Sequence, residues 1–183
     1  MTVLFLYLRL TLGLLFVVAG LSKARDHRAF YRAVAGFQIV SPLHVQRIAV
    51  AIVSLELVGG GLLLLGTHEW LGAILVGSLL AAFNAALIVN LLRGRRNLDC
   101  GCFGTHTARI GWGHVTQNTL LFLMAMLVGV LALWANPPRG SANPSGGLTV
   151  LAAIYTIVIF LAAQELVSVR AGLRRMLNRI QTE

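Results

Sequence analysis

The sequence predicts an all-α membrane protein with several spanning helices. Of the 183 residues, 57% are hydrophobic and only 11% are charged, and the mean hydropathy is +0.81. A soluble domain carries about 25% charged residues, so this chain has too little charge to cover a surface that faces water. The apolar residues also form long segments of the length that a spanning helix needs, about 20 residues.

Five segments reach that length, and they divide the rest of the chain into loops and a tail. The first segment lacks a basic leading stretch and a small-residue cleavage site, so it is expected to be a retained helix. Residues 1–135 are expected to form a bundle of four spanning helices, and residues 136–183 a linker, a fifth span and a basic tail. The segments are Thr2–Leu21, Val45–Leu65, Trp70–Leu92, Val115–Trp134 and Leu148–Val167.

The stretch between the first two spans, Ser22–His44, predicts an interfacial helix. Basic residues alternate there with aromatic and aliphatic residues at roughly helical spacing. Such a helix lies in the headgroup region with its apolar side toward the bilayer. It is expected to end near Ser41 and Pro42, since the residue before a proline disfavours helix.

The distribution of basic residues predicts the orientation and excludes nucleic-acid binding. The net charge is +9, but the basic residues lie in clusters between apolar segments rather than on one folded face. About 13 of the 15 basic residues fall in the first loop, the third loop or the tail, which share one side if there are five spans. The positive-inside rule places that side in the cytoplasm, with the N-terminus outside and the C-terminus inside.

A Cys100-Gly-Cys102 pair lies in the loop at residues 93–114, between the third and fourth spans, and these are the only cysteines. A disulfide across one residue closes a small ring, and strain in that ring would make the bond easier to reduce. The basic residues around Arg95 favour the reactive thiolate, whereas the adjacent Asp99 opposes it. The pair is therefore a candidate for thiol–disulfide exchange.

Two other roles stay open for these cysteines. They could form a structural disulfide that holds a turn. Together with His106 they could bind Cu(I) or Zn(II), which accept thiolate and imidazole ligands. A fourth zinc ligand would then have to come from His114 or another subunit. No metal is assigned.

Arg9 and Glu56 interrupt two of the apolar segments, and charged residues inside spans usually face the bundle interior and are paired. Arg9 lies about 10 Å, and Glu56 about 13 Å, below the outer ends of their helices. These depths predict an ion pair between the two, which would fix the register of the first two spans. A proton or quinone site is the alternative.

The first half of the chain resembles the DoxX-type membrane proteins. The cysteine motif, Cys100-Gly-Cys102-Phe103-Gly104, is more narrowly similar to the MauE branch of those proteins, whose length and five spans also agree. The residues that carry the first likeness are Arg9, Gly13, Phe16, Gly20, Lys23, Phe37, Pro42, Glu56, Gly60, Leu65 and Gly66.

The resemblance implies a DoxX-like four-helix transmembrane bundle with a fifth helix, in the inner membrane of a bacterium. It implies that Cys100 and Cys102 exchange disulfides with a thioredoxin-fold partner. The supported protein in the MauE family is the small subunit of methylamine dehydrogenase, an exported enzyme. A quinone is a candidate cofactor, because the chain has no second thiol pair. A non-enzymatic scaffold or transporter is the alternative function.

The resemblance and the charge pattern disagree on one point. Maturation of an exported enzyme suggests cysteines that are accessible from outside, whereas the basic residues place the loop inside. An inverted topology, a loop folded back into the bundle, or electron transfer on the cytoplasmic side would each reconcile them. The charge pattern is the stronger evidence, because about 13 of 15 basic residues agree.

Overall fold

A computed structural model of the chain describes residues 2–95, 98, 110–134, 147, 150–156 and 158. Within these residues the structure is helical, with α1 at Thr2–Arg25, α2 at His27–Gly36, α3 at Pro42–Leu65, α4 at Glu69–Leu92 and α5 at Trp112–Trp134. Four of them, α1, α3, α4 and α5, are long and apolar enough to cross a membrane. The first four predicted spans are confirmed, each within a few residues.

Short signals in the sequence set the ends of these helices. The Asp26 side chain accepts a hydrogen bond from the Ala29 backbone N–H at 3.0 Å and caps α2. Pro42 stands in the first turn of α3, where its missing N–H costs nothing. The helix ends at Gly66, which has a left-handed backbone with φ +69° and whose N–H donates to the Leu62 carbonyl.

The α2 helix confirms the predicted amphipathic segment, although it ends at Gly36, before Ser41 and Pro42. It buries Phe30 and exposes Arg28, Tyr31 and Arg32. Phe37, directly after the helix, is also buried. The helix therefore covers one end of the bundle and keeps its basic side chains at the surface.

The four long helices pack in a closed order, with α1 against α3, α3 against α4, α4 against α5 and α5 against α1. Two adjacent glycines of α3, Gly59 and Gly60, allow α4 and α1 to approach closely. A Cβ at Gly60 would lie 2.9 Å from the Gly13 carbonyl oxygen of α1, and one at Gly72 of α4 would lie 3.0 Å from the Gly59 carbonyl oxygen. Such small-residue contacts are typical of packed membrane helices. They fix the register of α1, α3 and α4.

The surface of the bundle is apolar where lipid would meet it. Large side chains such as Val58, Ile74 and Leu123 are more than half exposed. An exposed apolar belt on four long helices suits a bilayer rather than water. The buried core between the helices contains Leu12, Leu63, Val76 and Val128 among others. The chain is accordingly a multi-pass membrane protein.

The predicted fifth span lies largely outside the described residues. Residues 150–156 and 158 are helical. The Tyr7 and Thr156 hydroxyls share a hydrogen bond at 2.7 Å, and Ala153 is buried. This stretch therefore packs beside α1. A fifth membrane crossing and the likeness to the DoxX bundle stay predictions.

Candidate functional site

A cavity of about 300 Å³ lies in one half of the bundle. Its walls come from the second half of α1, the first half and middle of α3, the middle and second half of α4, the first half of α5, and from α2. Most of the lining is apolar, with Phe16, Ile52, Phe83 and Leu121 as examples. The opposite half of the bundle is filled by the apolar core. The cavity is thus at the end of the bundle that carries α2 and the loop between α4 and α5.

An ion pair between Lys23 and Glu56 forms part of the cavity wall. Both residues are more than nine-tenths buried, at 8% and 6% exposure. The Lys23 ammonium also lies 5.3 Å from the centre of the Phe30 ring, within cation–π range. The ammonium contacts Oε1 of Glu56, whereas Oε2 is buried and has no hydrogen-bond partner among the described residues. Oε2 of Glu56 is therefore a hydrogen-bond acceptor that a bound molecule could use.

The predicted pair between Arg9 and Glu56 does not form, and each residue has a different partner. Arg9 Nη1 lies 3.1 Å from Oε1 of Glu69, at the start of α4. The glycine contacts explain this, because Gly13 faces Gly60 and a Cβ at Gly20 would meet Leu57 and Glu56. That register places Glu56 near the end of α1. Depths counted from predicted helix ends therefore paired the wrong residues.

The far wall of the cavity, on α5, carries three polar side chains. They are His114, Gln117 and Asn118. Asn118 is 8% exposed, and its Nδ2 donates to the Leu80 carbonyl oxygen of α4 at 3.0 Å. A second bond ties the same helices, from Asn84 Nδ2 to Thr119 Oγ1 at 2.8 Å. Asn84 thus bonds across helices, whereas Asn90 bonds to the Ala86 carbonyl oxygen of its own helix.

The loop that holds the cysteines is closed at its base. The Ile110 backbone N–H donates to the Leu98 carbonyl oxygen at 3.1 Å. Ile110 is 3% exposed and packs in a cluster with Phe37, while Leu98 packs against the same cluster. Phe37 and Phe83 belong both to this cluster and to the cavity lining. Leu98 and Ile110, the described residues that flank the segment 99–109, therefore lie beside residues that form the cavity wall.

Cys100 and Cys102 lie outside the described residues, as does His106. Their roles in exchange, in a structural disulfide or in metal binding stay predictions. Within the described ranges, no group of three or more His, Cys, Asp or Glu side chains could hold a metal ion. What the structure adds is the placement of the loop ends.

The sequence analysis missed Lys23 as part of the site, and it considered His114 only as a possible zinc ligand, whereas both residues line the cavity. The expected end of the first span at Leu21 places Lys23 in the interfacial stretch that follows, but α1 continues to Arg25. The available signal was the spacing of Ala19 and Lys23 on the helix face that already carried Leu12, Leu15 and Phe16.

Comparisons with known proteins agree on one family. A family profile described as methylamine utilisation protein MauE matches residues 1–133. Methylamine utilization protein MauE of Paracoccus denitrificans is 33% identical over 157 residues, covering 85% of this chain and 83% of the relative. The protein of that name in Paracoccus versutus is 32% identical over 151 residues, covering 82% and 81%.

A more distant relative, methylamine utilization protein MauE of Methylophilus methylotrophus, is 29% identical over 165 residues, covering 88% of this chain and 85% of its own length. No solved structure matches the chain significantly. The profile spans all four long helices and the cysteine loop, and the resemblance noted from the sequence motif is confirmed. The chain belongs to the MauE family of methylamine utilisation proteins.

Proposed function

We propose that the protein is the membrane component of a thiol–disulfide exchange system in which Cys100 and Cys102 cycle between dithiol and disulfide. The observation that carries this proposal is the hydrogen bond between Ile110 and Leu98. It joins Leu98 and Ile110, the described residues on either side of the cysteine segment, at the end of the bundle. A loop held at its base can present two thiols at the surface to a protein partner.

The chemistry is an exchange of one disulfide for another. A thiolate of the partner attacks one sulfur of the Cys100–Cys102 disulfide, and the other cysteine leaves as a thiolate. The partner's second thiolate then attacks the mixed disulfide and releases the first cysteine. The partner ends as a disulfide and this chain as a dithiol. A thioredoxin-fold protein, which carries two reactive cysteines, suits this reaction.

The relatives' names supply the biological setting. They are methylamine utilization proteins, and we extend that role to this chain. The protein at the end of the exchange would be an exported enzyme of methylamine oxidation, the small subunit of methylamine dehydrogenase. The chain would support its maturation or stability through the thioredoxin-fold partner.

The charges at the cavity end support a cytoplasmic location for the exchange. Arg25, Arg28, Arg47 and Arg93 lie on α1, α2, α3 and at the end of α4, all at that end and all exposed. Basic residues are retained on the cytoplasmic side of the bacterial inner membrane. The N-terminus would then be outside.

The test replaces Cys100 and Cys102 by serine, singly and together, in cells that grow on methylamine. Each variant should insert in the membrane at the normal level but stop redox cycling of the partner and lower the amount of mature dehydrogenase. An Arg28→Ser variant, altered at an exposed residue of α2, is the matched control and should behave as the native protein.

The alternatives give different outcomes in the same strains. Normal cycling in both single cysteine variants would overturn the proposal. A scaffold with a structural disulfide would keep its activity after the native protein is reduced and alkylated. A metal-handling protein would purify with stoichiometric copper or zinc that the double variant lacks.

A further inference from the structure

We infer that the cavity beside Lys23 and Glu56 binds a lipid-soluble quinone, which accepts the electrons of the cysteine pair. The inference rests on the proposed thiol exchange, because it names the oxidant that restores the disulfide. It draws on three separate observations: the shape of the cavity, the polar groups on its wall and the number of cysteines in the chain.

The cavity suits a ring with an apolar tail. Its volume of about 300 Å³ lies at the lower end of the range for small-molecule sites. Most of its lining is aliphatic or aromatic. Ile39 and Ala82 line it and are also exposed, so the wall of the cavity reaches the surface that faces lipid. A molecule dissolved in the bilayer can enter there without crossing water.

The buried ion pair provides hydrogen bonding for both redox states of a quinone. The Lys23 ammonium can donate to a quinone carbonyl oxygen. Oε2 of Glu56, buried without a partner among the described residues, can accept from a quinol hydroxyl. A buried carboxylate oxygen that lacks a donor is costly. The acyl chain of a phospholipid has no donor to satisfy it, whereas a quinol has two.

The electron balance requires an acceptor of two electrons and two protons besides the cysteine pair, and a quinone is one. After each exchange the chain is left as a dithiol, and it has no cysteines besides Cys100 and Cys102 to pass the electrons on. Oxidation of the dithiol releases two electrons and two protons, and a quinone takes up both to become a quinol. One dithiol and one quinone thus give one disulfide and one quinol, with no further reactant.

The cavity lining shares three residues with the cluster around Leu98 and Ile110, which flank the cysteine segment. Phe37, Phe83 and Ala86 line the cavity, and the same residues pack with Ile110 and Leu98 at the base of the segment. A quinone in the cavity would therefore contact side chains of the same cluster that holds Leu98 and Ile110, the residues that flank the segment.

The test measures binding of decylubiquinone and decylubiquinol to the purified full-length protein in detergent, by titration calorimetry. The native protein should bind one molecule per chain. A Lys23→Met/Glu56→Leu double variant keeps an apolar cavity but removes its hydrogen-bonding groups, and it should bind about tenfold more weakly. Ala86→Phe, which fills the cavity, should abolish binding. Ala81→Phe, on the exposed side of the same helix, should not change it.

Binding and exchange are separable in this design. The Cys100→Ser/Cys102→Ser variant should bind the quinone as the native protein does, even though it cannot cycle. Equal binding by the native protein and the Lys23→Met/Glu56→Leu variant would overturn the inference, as would a tightly bound phospholipid that decylubiquinone does not displace. Failure of the thiol-exchange proposal would instead appear as cycling that persists in the cysteine variants.

Discussion

Lys23, in the last turn of α1, forms a buried ion pair with Glu56, past the middle of α3. Each charge is inside a segment that is long and apolar enough to span the membrane. A charge within a span is costly unless it has a partner. The pair therefore joins α1 to α3 at the level of the cavity, and its two residues should be strongly coupled in stability.

Replacing Lys23 alone should be more harmful than replacing both members of the pair. Lys23→Met leaves the Glu56 carboxylate buried without its cation, which should lower the free energy of unfolding by on the order of 3–5 kcal/mol. Lys23→Met/Glu56→Leu should recover most of that loss. Thermal unfolding in detergent checks both, with Arg25→Met at an exposed position of the same helix end as control. Equal loss in the single and double variants would show that the two charges are not coupled.

Adjacent glycines of α3 should differ sharply in their tolerance of a methyl group. Gly60→Ala places a Cβ 2.9 Å from the Gly13 carbonyl oxygen, so α1 and α3 must separate, at about 1–3 kcal/mol. A Cβ at Gly61 meets nothing within 4 Å, so Gly61→Ala should leave stability unchanged or raise it by up to about 1 kcal/mol, because alanine favours a helix over glycine. Unfolding in detergent compares the two. Similar values would contradict the close approach of α1 and α3.

Alanine substitutions at two glycines with left-handed backbones should distinguish the cost of backbone strain from the cost of a steric clash. Gly94 has φ +73°, and a Cβ there would meet nothing within 4 Å. Gly94→Ala should therefore lower the free energy of unfolding only by the cost of backbone strain, about 1–2 kcal/mol. Gly66→Ala, at φ +69°, has the same strain but also places its Cβ against the Arg9 guanidinium. It should be less stable than Gly94→Ala, because the Arg9–Glu69 pair must shift. If the two variants are equally stable, Arg9 does not lie against this turn.

The lengths of the spans and the amphipathic character of α2 could be predicted because both depend on the local order of apolar residues. The partners of Arg9 and Glu56 could not. They depend on the register between helices, which Gly13, Gly20 and Gly60 set by close packing. The cavity was also beyond prediction, since a cavity is defined by five helices together and no single segment shows it.

The base of the cysteine loop should control the rate of exchange. Ile110 is 3% exposed, and Ile110→Ala removes about 2–4 kcal/mol of packing if the site does not collapse. The contact between Ile110 and Leu98, which flank the cysteines, would then weaken, and partner cycling should slow while the protein stays in the membrane. Trp112→Ala, at a position that is 53% exposed, is the control. Unchanged cycling in Ile110→Ala would show that anchoring at Leu98 is not required.

The most direct measurement is the trapping of a mixed disulfide. Cys100→Ser and Cys102→Ser strains are quenched with acid, alkylated, and analysed without reductant for adducts of the chain. One of the two variants should carry a thioredoxin-fold protein that reductant releases and that the double variant lacks, because the resolving cysteine is missing. Absence of any adduct in both single variants, with partner cycling intact, would contradict thiol exchange at Cys100 and Cys102.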